Sequence, residues 1–116
     1  MASRAAVMAA LERRVEQACA RVAVNVTHEL ISTTPVDTGW ARANWIPNVG
    51  GPARGTGASR QAAGLAEAVA FKLADGAVHV TNNVPYIRKL NHGHSKQAPS
   101  NFVEYAVAKG VQESRL

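Results

Sequence analysis

Apolar side chains recur at steps of three and four over the first quarter of the chain: Met8, Leu11, Val15, Cys19, Val22, Val26 and Leu30. This is the helical period, and it predicts one long amphipathic helix over residues 3–32, with Arg13, Gln17, Arg21 and His28 largely on other faces. Ser3 is placed to cap it, because a hydroxyl there can accept from a backbone amide that has no partner inside the helix. Thr33-Thr34-Pro35 ends it, since the residue before a proline is pushed out of the α region. Cys19, on the apolar stripe, is expected to be a small buried hydrophobe.

Beyond residue 33 the pattern changes. Asp37 and Thr38 can bond nearby backbone amides and Gly39 permits backbone angles closed to other residues, so residues 34–39 read as a turn. Ala41, Ala43 and Trp45 then alternate with Arg42 and Asn44, which predicts a half-buried strand stopped by Pro47. With this turn and strand placed at 34–49, the glycine-rich stretch 50–59 reads as a flexible loop that orders on assembly. Residues 60–73 fit two templates. Ala62, Leu65, Val69 and Leu73 suit a helix capped by Ser59, whereas Val69, Phe71 and Leu73 alternate like a strand that Asp75-Gly76 could fold into a hairpin; the alanine content favours the helix. Val78 and Val80 against His79 and Thr81 predict a strand over 77–82. An Asn82-Asn83 turn and Pro85 lead into a short helix, Tyr86 to Asn91, stopped by Gly93. Pro99 and Ser100 open a final helix carrying Phe102, Val103, Ala106, Val107 and Val111, with Ser100 as its expected cap.

Length and composition narrow what these elements can do. A chain of 116 residues is one domain, 1–116. Its apolar residues reach 47%, yet many are alanine, and Phe, Trp and Tyr occur only twice each. Alanine buries little area, so a surface shared with another subunit would help this core more than it would help a leucine-rich one. The net charge is +5, but no more than two basic residues are adjacent (Arg13-Arg14 and Arg88-Lys89), which suits a solvated surface better than a nucleic-acid stripe. A single cysteine excludes an intrachain disulfide. No early segment resembles a signal peptide and none approaches a membrane span, so a soluble protein made inside the cell is expected.

A search for chemistry finds no convergent set. His92-Gly93-His94, with His79 and Cys19 elsewhere, lacks the spacing of a metal site. No serine sits in a Gly-x-Ser-x-Gly turn, and a mid-helix thiol on an apolar stripe is inert. The loop glycines lack the Gly-Lys-Ser/Thr of a phosphate loop. No enzyme activity, cofactor or metal is therefore expected. What remains suits contact with other subunits: Trp40, Arg42 and Trp45 around the first strand, and the polar segment His94, Ser95, Lys96 and Gln97. A small basic DNA-binding or packaging accessory protein is the alternative, from a pI of about 10.0.

Three stretches carry a resemblance. They are Thr34-Pro35-Val36-Asp37-Thr38-Gly39 followed by Arg42-Ala43-Asn44-Trp45; Thr81-Asn82-Asn83-Val84-Pro85-Tyr86 continuing to Leu90 and Gly93; and Ser95-Lys96-Gln97-Ala98-Pro99 followed by Phe102-Val103. In this order and spacing the chain resembles the tail-component proteins of lambda-like and related long-tailed phages, encoded in the neck gene cluster. The sequence departs from that pattern at Asn91-His92, where an acidic residue is usual, and at Ser100-Asn101, where Ala-Gly is usual. The resemblance implies an α+β fold, with a long N-terminal helix and further helices packed on a small antiparallel sheet. It also implies a structural virion protein of the head–tail neck, a tail-completion or tail-terminator component. Such proteins commonly form sixfold rings that join tail to head, contact head-connector or stopper and tail-tube proteins, and let DNA pass non-specifically. They are assembled in the host cytoplasm and reside in the virion.

Overall fold

The computed structural model describes residues 3–35, 39–57, 59–93 and 99–115. It is an α+β arrangement of α1 (Arg4–Thr33), β1 (Ile46–Val49), α2 (Ser59–Val69), β2 (Val78–Thr81), α3 (Ile87–Asn91) and α4 (Phe102–Ser114). Strands β1 and β2 pair antiparallel with Ile46 opposite Thr81 and Val49 opposite Val78. The shape is elongated. The radius of gyration is 16.0 Å, against about 13 Å for a compact chain of this length, and the longest dimension is 59 Å against 26 and 16 Å for the others. Helix α1, about 45 Å long at 1.5 Å per residue, sets that long axis.

The ends of α1 are made by the residues expected. The Ser3 hydroxyl accepts from the Ala6 amide at 3.1 Å. At the other end the Thr34 amide still bonds the Leu30 carbonyl at 3.1 Å before the chain turns extended. The Thr34 hydroxyl also donates to Leu30 O at 2.5 Å and accepts from the Trp45 indole N–H at 2.7 Å. This locks the helix end to the core, where Val26, Leu30, Trp45 and Ala106 cluster with Val22, Ile31, Val80, Ile87 and Val103 around them.

Helix α4 runs antiparallel along the second half of α1. Ser114 lies at the Arg21–Asn25 level, Gly110 at Val26, and the Lys109 ammonium 3.5 Å from the Glu29 carboxylate. Its buried residues are Phe102, Ala106, Gly110 and Ser114, a stripe of mostly small side chains at four-residue spacing that lets the two backbones approach closely. Helix α2 approaches β1 in the same way. A Cβ built on Gly64 would stand 2.1 Å from the Pro47 carbonyl oxygen.

Several sequence expectations are corrected. Residues 41–45 are not a strand: Arg42–Asn44 form a 3-10 turn, and the strand starts at Ile46 and contains Pro47 rather than stopping at it. The Asn44 side chain causes the turn, donating to Trp40 O at 2.7 Å and accepting from the Gly57 amide at 2.7 Å; Pro47 is tolerated because a strand in a two-stranded sheet has one edge without ladder bonds. For residues 60–73 the favoured helix forms, as α2, and ends at Val69; the alternative hairpin at Asp75-Gly76 does not, since β2 pairs with β1 and Leu73–Asp75 make a second 3-10 turn. Helix α2 begins at Ser59 itself and buries Gly64 and Ala68, while Val69 is exposed. Loop 50–57 is tethered rather than free. The Asn83 amide donates to Ala53 O and Gly55 O at 2.8 and 3.0 Å, and Ala53 is buried. Ser100 does not cap α4. Asn91 does so from outside the helix, its Oδ1 accepting from the Val103 amide at 2.9 Å while its Nδ2 donates to the Glu104 carboxylate at 3.0 Å. Val107 and Val111 are on the exposed side of α4.

Candidate interaction site

The apolar stripe of α1 has two fates along its length. From Val22 to Leu30 it packs into the core, but residues 4–15, the arm of the helix, are all exposed except the half-buried Ala10. Val7, Met8, Leu11 and Val15 are each about half exposed, at 47, 51, 50 and 47%. The amphipathic helix is present as expected, but periodicity identifies an apolar face and not what covers it. At the base of the arm the Glu16 carboxylate accepts from the Leu73 amide at 2.7 Å, and Arg13 borders a small cleft with Val69, Phe71 and Lys72.

The same stripe continues as one wall of a groove of about 660 Å³. Val15, Ala18, Cys19, Val22, Ala23 and Val26 form the α1 side, and Phe71, Leu73, Gly76, Ala77, Val78 and Val80 form the other. Cys19 is half-buried and lines this groove instead of lying in the core. A second, more polar cleft is lined by Val49, Glu67, Ala70 and Asp75, the last next in sequence to the groove-lining Gly76. Among the described residues no charged side chain lines the groove, so it suits an apolar occupant. Among the described residues, no three His, Cys, Asp or Glu side chains come together as a metal site would require. No helix among them is long and apolar enough to cross a membrane.

The motif residues occupy a different region and work chiefly as internal fasteners. Thr34 and Pro35 are buried at the end of α1. Gly39 takes a positive φ of 71°, and its carbonyl accepts from Ala43 N at 3.0 Å. Trp45 is in the core, not at a contact surface. Arg42 is half-buried, its Nη2 donating to Ser32 O at 3.2 Å, while its buried Nε has no hydrogen-bond partner among the described residues. Asn82 makes an Asx turn, accepting from the Val84 amide at 3.0 Å, and donates to Ala41 O at 2.8 Å across 41 residues of sequence. Trp40, 44% exposed, meets the Tyr86 ring edge-on with centroids 5.7 Å apart. Pro85 precedes α3, and Gly93, with φ of 94°, follows it. Pro99 is exposed ahead of α4. Asp37, Thr38, His94, Ser95, Lys96 and Gln97 lie outside the described residues.

The structure therefore brings the first two motifs together, and none of their described residues lines the groove. The groove and arm were not singled out by sequence reasoning. The available signal was length: a 45 Å helix exceeds what a domain of this size can cover along one side. No family model, curated protein or solved structure matches the chain.

Proposed function

We propose that this chain is a structural subunit of a long-tailed phage neck, a tail-completion or tail-terminator component that assembles with copies of itself into a ring, six being the family's common number. Head-connector or stopper and tail-tube proteins are its proposed neighbours, and DNA passes through the ring without specific contacts. The observation that carries this reading is the meeting of the first two motifs. Residues from Thr34-to-Trp45 and from Asn82-to-Tyr86 contact each other through Asn82 with Ala41 and Trp40 with Tyr86, as expected if the motif series encodes a shared framework rather than a chance match. The unpaired apolar arm and groove support the self-assembling part of the reading, since apolar surface of this extent on a small domain marks a contact.

Diluted basic charge fits a channel in which DNA slides, because strong phosphate contacts would hold it. The test is mass measurement and negative-stain imaging of concentrated protein, alone and with head-connector or tail-tube proteins. Rings, or capture on either structure, are expected. A chain that stays monomeric and joins neither would overturn the proposal.

A further inference from the structure

We infer that the groove between α1 and β2 is filled by the 4–15 arm of a second copy of this chain, and that this exchange is the subunit joint. The inference rests on the reading of the chain as a self-assembling subunit, and it names the surface that does the joining.

Three features of the molecule select this occupant. The first is length. The arm runs from Arg4 to Val15 and the α1 wall of the groove from Val15 to Val26; each is eleven residue steps, about 16 Å of helix. The second is chemistry. The arm presents Val7, Met8 and Leu11 at helical spacing, and the groove answers with Cys19, Val22, Phe71, Leu73, Val78 and Val80. The third is charge. The arm carries Arg4, Arg13 and Arg14 against Glu12, while Asp75, next in sequence to the groove-lining Gly76, lines a neighbouring cleft with Glu67. An arm of net positive charge is complementary to that acidic neighbour.

A chain cannot fill its own groove. Arm and groove wall belong to one uninterrupted helix, so folding the arm back would break α1 near Val15. Each copy supplies one arm and one groove, so every surface is satisfied only by exchange between copies, either head-to-tail around a ring or mutually about a two-fold axis.

The single native thiol makes the joint testable. Cys19 is the only cysteine and lies in the groove. A second cysteine placed on the arm's apolar face, Met8→Cys or Leu11→Cys, should form an intermolecular disulfide with Cys19 when full-length protein is oxidised with diamide, because a disulfide needs Cα atoms within about 7 Å. Gln112→Cys on the exposed side of α4 should not. In parallel, Leu11→Asp should weaken self-association by roughly 10- to 100-fold, the loss of one buried leucine at a contact. Its melting as a monomer should be unchanged, since Leu11 touches no core.

The outcomes separate the joint from the ring. Arm-to-Cys19 cross-links with loss of assembly in Leu11→Asp support the joint. If the assembled mass is then only that of a dimer, the joint stands and the ring is overturned. Wild-type assembly that persists in Leu11→Asp, without arm-to-Cys19 cross-links, overturns the joint and leaves self-assembly standing. Monomers at every concentration up to the solubility limit overturn both.

Discussion

Replacing Gly110 by alanine sets helix propensity against packing, and the sign of the result decides which one governs the α1–α4 contact. Propensity alone favours the substitution by about 1 kcal/mol, because alanine restricts the unfolded chain more than glycine does. Packing opposes it. A Cβ at Gly110 would stand 2.6 Å from the Val26 Cα and 2.8 Å from both its amide nitrogen and its Cγ2. Carbon atoms pack best at about 3.5–4.0 Å, so α4 must move off α1 by roughly 1 Å. Two of the three atoms met are backbone and cannot swing aside. Overpacking of this kind costs about 1–3 kcal/mol, and a 1 Å separation also forfeits up to about half of each contact along the seam, including those of Ala106 with Val26 and Leu30. The net expectation is destabilisation by about 2 kcal/mol, or a melting temperature lower by about 5–15 °C for a domain of this size. Urea unfolding followed by circular dichroism measures it, with Val107→Ala on the exposed side of the same helix as a control expected to stay within about 0.5 kcal/mol. Gly64→Ala, whose Cβ would meet the Pro47 carbonyl oxygen at 2.1 Å, should behave like Gly110→Ala. An alanine variant at Gly110 as stable as wild type, or more stable, would refute the close-packed seam.

Three further outcomes follow from the framework. Trp45→Phe removes the indole donor to Thr34 and some buried volume, and should cost about 1–3 kcal/mol in urea unfolding; an unchanged midpoint would mean that this bond does not hold the end of α1. Gly39→Val meets no atom within 4 Å but must adopt a φ of 71°, so a loss of about 1–2 kcal/mol, purely conformational, is expected; Gly39→Asn, more tolerant of that region, should lose less, and the reverse order would exclude the backbone explanation. The Glu113 carboxyl is raised above its usual value of 4.5, first by its hydrogen bond to Glu29, then by desolvation and by repulsion from the Glu29 charge, with Lys109 opposing. A raised carboxyl holds its proton more tightly when folded, so its stabilising share is full below 4.5 and is lost as pH rises through the raised value. Glu113→Gln should flatten the melting temperature against pH just above 4.5, and an identical slope in the variant would rule this group out.

The parts of the fold that sequence made legible are those whose signal is local. Helix α1 carried seven apolar positions in register and a capping serine, and β2 carried four alternating positions. The parts that escaped depend on what packs against what. Residues 41–45 alternate like a strand but form a 3-10 turn that Asn44 stabilises through Trp40 and the distant Gly57, a partner no local pattern reveals. On α4 hydropathy points to Val107 and Val111, yet the buried face is Ala106, Gly110 and Ser114, selected for lack of bulk rather than for greasiness. The cap of α4 comes from Asn91, in the preceding helix, where no local motif would place it.

The same distinction bears on the site. The motifs that carry the family resemblance are legible because turns and caps require particular residue types: an asparagine to close the turn before Val84, a glycine at positive φ, a threonine that can both donate to Leu30 and accept from Trp45. An apolar docking face requires no particular residue, only greasy bulk at helical spacing, and in sequence it is indistinguishable from core. Val7, Met8, Leu11 and Val15 continue without a break the stripe that Val22, Val26 and Leu30 bury. Under the arm-exchange proposal, the helix preserves its core pattern for three turns past its own core to meet a surface outside the subunit. In the proposed assembly, the core of the assembly and the core of the chain are written in one continuous stripe, and only the length of the body says where one ends and the other begins.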